Sequence, residues 1–159
     1  MTRVGIVDTT FARFDMGAAA LEELAKLARP GEHLETARTV VPGIKDLAVA
    51  AKTLLEGGCD LVIACGMVGG EEVDKQCALV ADQGLQQAQL LAGKPILGVF
   101  VYTEEAKDET ELAWLMDSRT RGHALNAYLM LLHPEEMLKR AGTGRRQGFA
   151  DEGPVAVRR

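Results

Sequence analysis

A run of five apolar residues near the middle of the chain constrains the fold more than any other feature. Residues 61–65 (Leu-Val-Ile-Ala-Cys) contain no polar side chain, so an extended segment here would bury both of its faces. Continuous apolar strands are typical of the centre of a parallel sheet that helices cover on both sides. The run therefore predicts a central strand of an α/β protein.

The segments around this run alternate between strand and helix patterns. Strands are predicted at residues 4–7, 34–41 and 96–101, and helices at residues 15–29, 44–56, 71–91 and 108–132, with a short last helix from Pro134. Such alternation builds a parallel sheet with right-handed crossovers. We expect one α/β domain over residues 1–141, with a flavodoxin-like, doubly wound, four-stranded parallel sheet in the order 2-1-3-4 and helices on both faces.

Composition excludes several classes of protein. The chain has 159 residues, of which 47% are hydrophobic, enough for the core of one domain. Its net charge of −5 argues against general nucleic-acid binding, which needs a basic face. No apolar run approaches the ~20 residues of a membrane span, and Met1 leads directly into a strand. We therefore expect a cytoplasmic protein that binds neither nucleic acid nor membrane.

The cysteines, the histidines and the C-terminal segment give weaker signals. Three cysteines without CxxC spacing support neither a disulfide framework nor a zinc site, and the three histidines are scattered. Residues 142–159 are glycine-rich, basic and aperiodic. They are predicted to form a tail that is extended or docked on a neighbouring subunit.

Ligands of open parallel sheets bind beyond the carboxyl ends of the strands, near the point where the strand order reverses. This rule brings four loops together at one edge. The candidate substrate-binding residues are Asp8, Thr9, Thr10, Phe11 and Arg13 after the first strand, Pro42, Gly43 and Ile44 after the second, Gly66, Met67 and Val68 after the third, and Tyr102 and Thr103 after the fourth.

These loops carry groups that suit a flat, polar, heteroaromatic ligand. Phe11 lies in a polar loop and could stack on a planar ring, although core packing is the ordinary use of a phenylalanine. Gly43 leaves backbone amides free before a helix, where an oxygen-rich group could bind; the simpler alternative is an ordinary turn. The glycines of residues 66–70 are predicted to form a loop that lets backbone approach the ligand. Lys75 would act as a base if burial lowered its pKa, and otherwise is a surface lysine.

The order and spacing of these segments resemble one known family over nearly the whole chain. Residues 4–13, 41–47 and 57–70, and the closing residues 145–149 before 151–154, are similar to archaeal riboflavin synthase. That family has the fold of 6,7-dimethyl-8-ribityllumazine synthase and is distinct from the riboflavin synthases of bacteria and eukaryotes.

The resemblance implies an activity and an assembly. Two molecules of 6,7-dimethyl-8-ribityllumazine would react, one giving a four-carbon unit to the other, to form riboflavin and 5-amino-6-ribitylaminouracil. The family forms homopentamers with sites between subunits, each holding two lumazines, and is associated with magnesium but with no organic cofactor. Lys45 and Lys75 are our candidates for anion stabilisation or proton transfer, with Asp46 orienting one of them. The metal ligands are not fixed by the sequence. Glu71, Glu72 and Asp74 are available for a hydrated ion, although a solvated acidic helix start is their more ordinary use.

Two alternatives stay open. Lumazine synthase shares the strand-end phenylalanine and the Pro-Gly loop, but residues 66–93 lack the histidine that it carries after the third strand. Its phosphorylated substrate also needs cations on the last long helix, where Arg119 and Arg121 are available. The other alternative is a lumazine- or flavin-binding module without turnover. For subunit contacts, we expect an exposed face of the third helix that includes Leu85 and Ala88.

Overall fold

The structure, a computed structural model, describes residues 1–158 and confirms the four-stranded parallel sheet. Arg159, the last residue of the predicted tail, lies outside the described residues. The strands are β1 (Thr2–Thr9), β2 (Leu34–Val41), β3 (Leu61–Val68) and β4 (Ile96–Tyr102). Their spatial order is β2-β1-β3-β4, as predicted, and the apolar run lies in the interior strand β3, where every residue is buried.

Helices cover both faces of the sheet. They are α1 (Met16–Leu27), α2 (Leu47–Glu56), α3 (Glu72–Ala92), α4 (Glu109–Leu132) and the short α5 (Pro134–Leu138). The apolar sides of α1 and α4 pack in one core layer, and those of α2 and α3 pack in the other. None of these helices is long and apolar enough to cross a membrane, within the described part of the chain.

The ends of three helices follow the sequence signals. The side chain of Asp15 accepts a hydrogen bond from the Ala18 amide at 2.9 Å, and Asp108 accepts one from Glu111 at 2.8 Å. Each carboxylate therefore satisfies one of the free amides at a helix N-terminus. The third helix ends at Gly93, which has a left-handed φ of 63° that glycine adopts without strain.

Two predicted boundaries are wrong at the carboxyl end of the sheet. Residues Gly66, Met67 and Val68 do not begin a loop, because they continue β3 and pair with Phe100, Val101 and Tyr102 of β4. The helix after β2 begins at Leu47 rather than at residue 44, since Ile44–Asp46 form a single 3₁₀ turn.

The predicted contact face of α3 is also wrong. Leu85 and Ala88 are 2% and 5% exposed and pack in the core with α2. The apolar side chains that α3 exposes to solvent are instead Val73, Leu79, Val80, Leu90 and Leu91. Helical periodicity fitted either face, so the sequence alone did not decide which one the sheet covers.

Residues 144–152, which we call the C-terminal clasp, fold into a closed turn. The Glu152 amide donates to the Gly144 carbonyl at 2.9 Å, and the Arg146 guanidinium contacts the Glu152 carboxylate at 3.0 Å. The clasp lies on α4 of its own subunit, where the Gly148 carbonyl accepts a hydrogen bond from Arg119 at 2.8 Å. A contact with a neighbouring subunit stays a prediction.

Candidate functional site

A cleft of about 240 Å³ opens where β1, β2 and β3 end. It brings together most of the predicted site from the second and third loops, together with Phe11 from the first. The lining residues are Phe11, Gly43, Ile44, Lys45, Asp46, Met67, Val68, Gly69, Asp74 and Cys77. The Phe11 ring is 54% exposed, so it is available to a planar ligand rather than to the core.

Backbone hydrogen bonds join the two loops that carry Phe11 and Ile44. The Thr10 amide donates to the Val41 carbonyl at 2.9 Å, and the Phe11 amide donates to the Pro42 carbonyl at 3.3 Å. The Thr10 hydroxyl adds a second bond to Pro42 at 3.2 Å. Thr10 and Pro42 therefore join the two loops and do not themselves line the cleft.

Asp46 is engaged with backbone in this subunit. Its carboxylate accepts a hydrogen bond from the Gly43 amide at 3.1 Å, which fixes the turn before α2. No ion pair joins Asp46 to Lys45 or Lys75 among residues 1–158, so the predicted orienting role is not seen here. Lys45 itself is exposed at the cleft.

Gly66 allows the loop after β2 to lie directly on the sheet. A Cβ at this position would be 2.5 Å from Cγ2 of Ile44, closer than any relaxed contact. The space that we expected a flat ligand to use next to Gly66 is filled by Ile44. The glycine of this segment that lines the cleft is instead Gly69, one residue beyond the end of β3.

Two cleft residues on α3 were not among the predicted substrate-binding residues: Asp74 was considered only for magnesium, and Cys77 was not singled out. Asp74 and Cys77 lie one helical turn apart, and both face the cleft. The Asp74 carboxylate accepts a hydrogen bond from the Glu71 amide at 3.0 Å and packs against Gly69. The thiol of Cys77 is free and partly exposed. The signal in the sequence was the spacing of three residues between Asp74 and Cys77, which places both side chains on one face of a predicted helix.

Of the two alternatives for Lys75, the structure shows the surface lysine, with its side chain 38% exposed. Its ammonium lies 3.0 Å from the Glu104 carboxylate, and this hydrogen-bonded partner raises the pKa of Lys75 rather than lowering it. Lys75 therefore stays protonated at neutral pH and suits the stabilisation of an anion better than proton removal. Tyr102 and Thr103 precede Glu104, and Thr103 lies beside Gly70, but neither residue lines the cleft.

Asp8 and Thr9 are buried, at 4% and 5% exposure, and lie outside the cleft. The Arg38 guanidinium donates two hydrogen bonds to the Asp8 carboxylate, at 2.9 and 2.6 Å, and also contacts Asp15. These residues and Arg13 border a separate depression of about 350 Å³ between β2 and α1. Arg38, which the sequence analysis did not single out, thus fixes the end of β1.

Arg119 is buried and fully engaged. Its guanidinium donates to both oxygens of Glu105 at 2.8 Å, to the Phe100 carbonyl at 3.0 Å and to the Gly148 carbonyl at 2.8 Å. Burial alone would raise the pKa of Glu105, but hydrogen bonds from Arg119 and from the Tyr102 amide outweigh it and lower that pKa. The Arg119–Glu105 pair is therefore a charged, structural contact at the edge of β4.

Arg121, the other cation considered for a phosphate, is held elsewhere. It donates to Asp117 at 2.9 Å, to Glu22 at 2.9 Å and to Glu23 at 3.3 Å, joining α4 to α1. Three carboxylates around one guanidinium leave it poorly suited to a further anion.

The clasp places an aromatic ring on this buried arginine. The guanidinium carbon of Arg119 lies 4.4 Å from the centre of the Phe149 ring, and that of Arg146 lies 4.8 Å from it. Gly148 has a left-handed φ of 79°, and a Cβ there would be 2.6 Å from Arg119 and 3.0 Å from the imidazole of His123. This close approach requires glycine. Phe149 itself is 52% exposed.

The acidic residues proposed for magnesium do not gather around one point. Within residues 1–158, the one group of three potential ligands is His133, Glu135 and Glu136. His133 contacts Glu32 at 2.7 Å, and Glu136 contacts Arg29 at 2.8 Å, at the other end of α4 from the cleft. Magnesium needs near-octahedral oxygen ligands, and neither set fits a site made by protein side chains alone.

Comparison with known proteins identifies a family that agrees with the observed fold. The family model described as 6,7-dimethyl-8-ribityllumazine synthase matches residues 1–135. A riboflavin synthase of Methanothermobacter marburgensis is 50% identical over 156 residues, covering 98% of this chain and all of that protein. A riboflavin synthase of Archaeoglobus fulgidus is 44% identical over 154 residues, covering 96% and 98%.

Relatives named for the other activity match less of the chain. A 6,7-dimethyl-8-ribityllumazine synthase of Clavibacter sepedonicus is 35% identical over 81 residues, which is 50% of this chain and 51% of that protein. The full-length matches, the parallel sheet and the cleft at its carboxyl edge agree with one another. The chain belongs to the 6,7-dimethyl-8-ribityllumazine synthase family and, within it, groups with the riboflavin synthases.

Proposed function

We propose that the chain is a riboflavin synthase. It transfers a four-carbon unit between two molecules of 6,7-dimethyl-8-ribityllumazine and releases riboflavin and 5-amino-6-ribitylaminouracil. One observation carries this proposal: relatives named riboflavin synthase are 44–50% identical over 96–98% of the chain. Relatives named lumazine synthase match only 35–50% of it.

The cleft supports a role in holding one lumazine. Phe11 offers an exposed ring for stacking, and Ile44, Met67 and Val68 supply apolar contact. The loop of residues 42–46 is the proposed partner of the ribityl hydroxyls. Holding two rings in contact removes much of the entropic cost of a bimolecular reaction, so binding geometry is the main contribution that this chain makes.

Charge near the cleft supports the stabilisation of an anion. The electron-poor lumazine ring makes the C7 methyl group acidic, so a carbanion forms without a protein nucleophile. Lys45 at the cleft and the ion-paired Lys75 beside it are the proposed cations that stabilise this negative charge. The raised pKa of Lys75 supports that role and argues against its acting as a base at neutral pH.

The engaged arginines of α4 favour this reaction over lumazine synthesis. A phosphorylated four-carbon substrate needs cations that are free to bind phosphate. Arg119 and Arg121, the two candidates, already bind carboxylates and backbone carbonyls. The absence of a histidine from residues 66–93 points the same way.

The size of the cleft supports a site shared between subunits. About 240 Å³ is less than the 300–1,000 Å³ of ordinary small-molecule pockets, and two lumazines need more space than one. We propose that the chain forms a homopentamer and that each cleft is closed by a neighbouring subunit.

The decisive experiment is to mix the purified protein with 6,7-dimethyl-8-ribityllumazine alone and to separate the products by chromatography. We expect riboflavin and the aminouracil in equal amounts. Unchanged lumazine would overturn the proposal. Formation of lumazine from the aminouracil and the four-carbon phosphate would then indicate a lumazine synthase, and binding without any turnover would indicate a carrier.

Magnesium is a further proposal for the assembled enzyme, supported by the family resemblance rather than by a cluster of ligands. We expect the rate to fall when divalent ions are removed with a chelator and to recover when magnesium is added. An unchanged rate after chelation, with metal content checked by elemental analysis, would refute a magnesium requirement.

A further inference from the structure

We propose that the C-terminal clasp forms the wall against which the second lumazine packs, in the cleft of a neighbouring subunit. Phe149 and Arg146 are the residues that meet this ligand. The inference rests on the proposed function and goes beyond it, because it assigns a positioning role to a segment outside the cleft.

The matches to known proteins differ in whether they include the clasp. The lumazine synthase family model ends at residue 135, whereas a riboflavin synthase matches over 156 residues and along its whole length. The clasp therefore lies outside the residues that the lumazine synthase family model matches and inside the part of the chain that a riboflavin synthase matches. The structural difference between the two activities should be sought in this segment.

The clasp is a defined turn that several contacts hold in place. Arg119, whose side chain is 4% exposed, holds it through the Gly148 carbonyl and the Phe149 ring. Glu105 holds the same guanidinium from the other side with two hydrogen bonds. Gly148 cannot be enlarged without a collision with Arg119 and His123. So many constraints on an otherwise exposed turn indicate that the position of Phe149 matters.

The clasp and the cleft lie at different edges of one subunit. Arg119 bonds to the Phe100 carbonyl of β4, which is the edge strand at one end of the sheet. Phe11 and Ile44 follow β1 and β2, toward the other end. No clasp residue lines the cleft of its own subunit among the described residues, whereas a ring of subunits in head-to-tail contact can place one edge against the next.

The exposed chemistry of the clasp suits the proposed ligand. Phe149 is half-exposed, and the Arg146 guanidinium lies over its ring. A flat aromatic ring and the planar Arg146 guanidinium, whose charge is paired with Glu152, together offer a surface on which an electron-poor heterocycle can stack. Phe11 on one subunit and the clasp on the next would then enclose the two stacked lumazines.

A substitution series tests the role of the ring. Phe149→Ala should raise KM for lumazine and lower kcat/KM by about 10-fold or more, the loss expected for one buried aromatic contact. Phe149→Tyr, which keeps the ring, should retain most of the activity, and Val155→Ala, a 99% exposed position of the same tail, should leave it unchanged. A Phe149→Ala protein with wild-type kcat/KM would overturn the proposal.

A complementation experiment distinguishes action across subunits from support within one. A cleft variant, Phe11→Ala with Lys45→Ala, is co-expressed with Phe149→Ala under two affinity tags, and mixed assemblies are isolated. If the clasp acts on its neighbour, sites between an intact cleft and an intact clasp are restored. In a random equal mixture, a site has an intact cleft with a probability of one half and an intact neighbouring clasp with a probability of one half. About one quarter of wild-type activity should therefore return.

The outcomes separate this inference from the proposed function. Activity of the mixed assemblies no greater than that of either parent would refute action across subunits, given that both variants assemble and unfold at wild-type temperatures. Wild-type protein that forms no riboflavin would refute the proposed function itself. A cleft variant that keeps full activity would refute the assigned cleft and leave the Phe149 series as the test of the clasp.

Discussion

Single residues at the carboxyl edge determine the shape of the cleft. Gly66 lets Ile44 lie on β3, Gly69 brings backbone to the opening, and Asp46 and Asp74 each close a turn through one amide. These residues act through backbone conformation and close approach. The side chains left to meet a ligand are mainly Phe11, Lys45 and Cys77 together with the apolar residues of β3.

Substitution at Gly66 should disturb the cleft through Ile44. A methyl group at this position overlaps the Ile44 side chain, so Gly66→Ala should destabilise the fold by about 1–3 kcal/mol, the usual cost of overpacking. Urea unfolding measures this change. Gly122→Ala, where a Cβ meets nothing within 4 Å on α4, should be neutral or slightly stabilising. Equal effects of the two variants would contradict the assigned contact.

The charge of Lys75 should matter more than its ability to lose a proton. Glu104 raises the pKa of Lys75 above its usual value of 10.5, so the ammonium persists throughout neutral pH. Lys75→Met should lower kcat, and Lys75→Arg should restore part of it. Full turnover by Lys75→Met would exclude the role, and a rate that rose as Lys75 deprotonated would favour a base instead.

At the scale of elements, α4 joins three parts of the molecule. Its N-terminal end borders the fourth loop, its middle holds the clasp through Arg119 and His123, and its C-terminal end meets the loop before β2 through Tyr128 and His133. One continuous helix of 24 residues therefore connects the site edge of the sheet with the opposite edge.

The pH dependence of stability should reveal the His123 contact. Burial lowers the pKa of His123 below 6.5, although its ring bonds to the Arg119 carbonyl at 2.8 Å. As pH falls through 6.5, the unfolded chain binds a proton that the folded chain excludes. The free energy of unfolding should therefore decrease by up to ~1.4 kcal/mol per pH unit, until the pH reaches the folded-state pKa.

Urea unfolding between pH 5 and pH 8 measures this slope. His123→Gln should flatten it, and His33→Gln, at an exposed position outside α4, should not. A slope that His123→Gln leaves intact would place the responsible group elsewhere.

The sequence predicted the elements well because their signals are local. Short polar residues before periodic apolar ones gave the caps at Asp15 and Asp108, and the apolar run gave β3. Pairings between distant segments, such as Arg38 with Asp8 or Arg119 with Glu105, depend on register and side-chain direction. No local pattern encodes them. The face of α3 was assigned wrongly for the same reason, since its apolar residues occur on more than one side.

At the scale of the whole molecule, α3 carries the surface that best suits self-association. Val73, Val80 and Leu91 are 56–76% exposed. They are spaced by 7 and 11 residues, which places them on one side of the helix. An apolar stripe of this length on an exposed helix marks an interaction surface. It lies on the same helix as the cleft residues Asp74 and Cys77, so assembly and site formation are expected to be coupled.

Charges introduced into this stripe should break the assembly. Val80→Asp with Leu91→Asp should shift the protein from the proposed pentamer to smaller species, because burying carboxylates between helices is unfavourable. Light scattering after gel filtration measures the mass. Leu79→Asp, also exposed but on a different side of α3, is the matched control. A mass unchanged by the double substitution would exclude this stripe as the interface.

The three thiols differ in accessibility, so labelling of the accessible one can report whether the cleft is occupied. Cys59 and Cys65 are sealed in the core, and burial raises the pKa of both, whereas Cys77 opens into the cleft. A thiol-reactive dye should therefore attach once per folded chain and three times per unfolded chain. Lumazine should slow the first attachment, and equal rates with and without it would place the ligand away from Cys77. Site occupancy in the natural sequence thus becomes readable by fluorescence, without an engineered label.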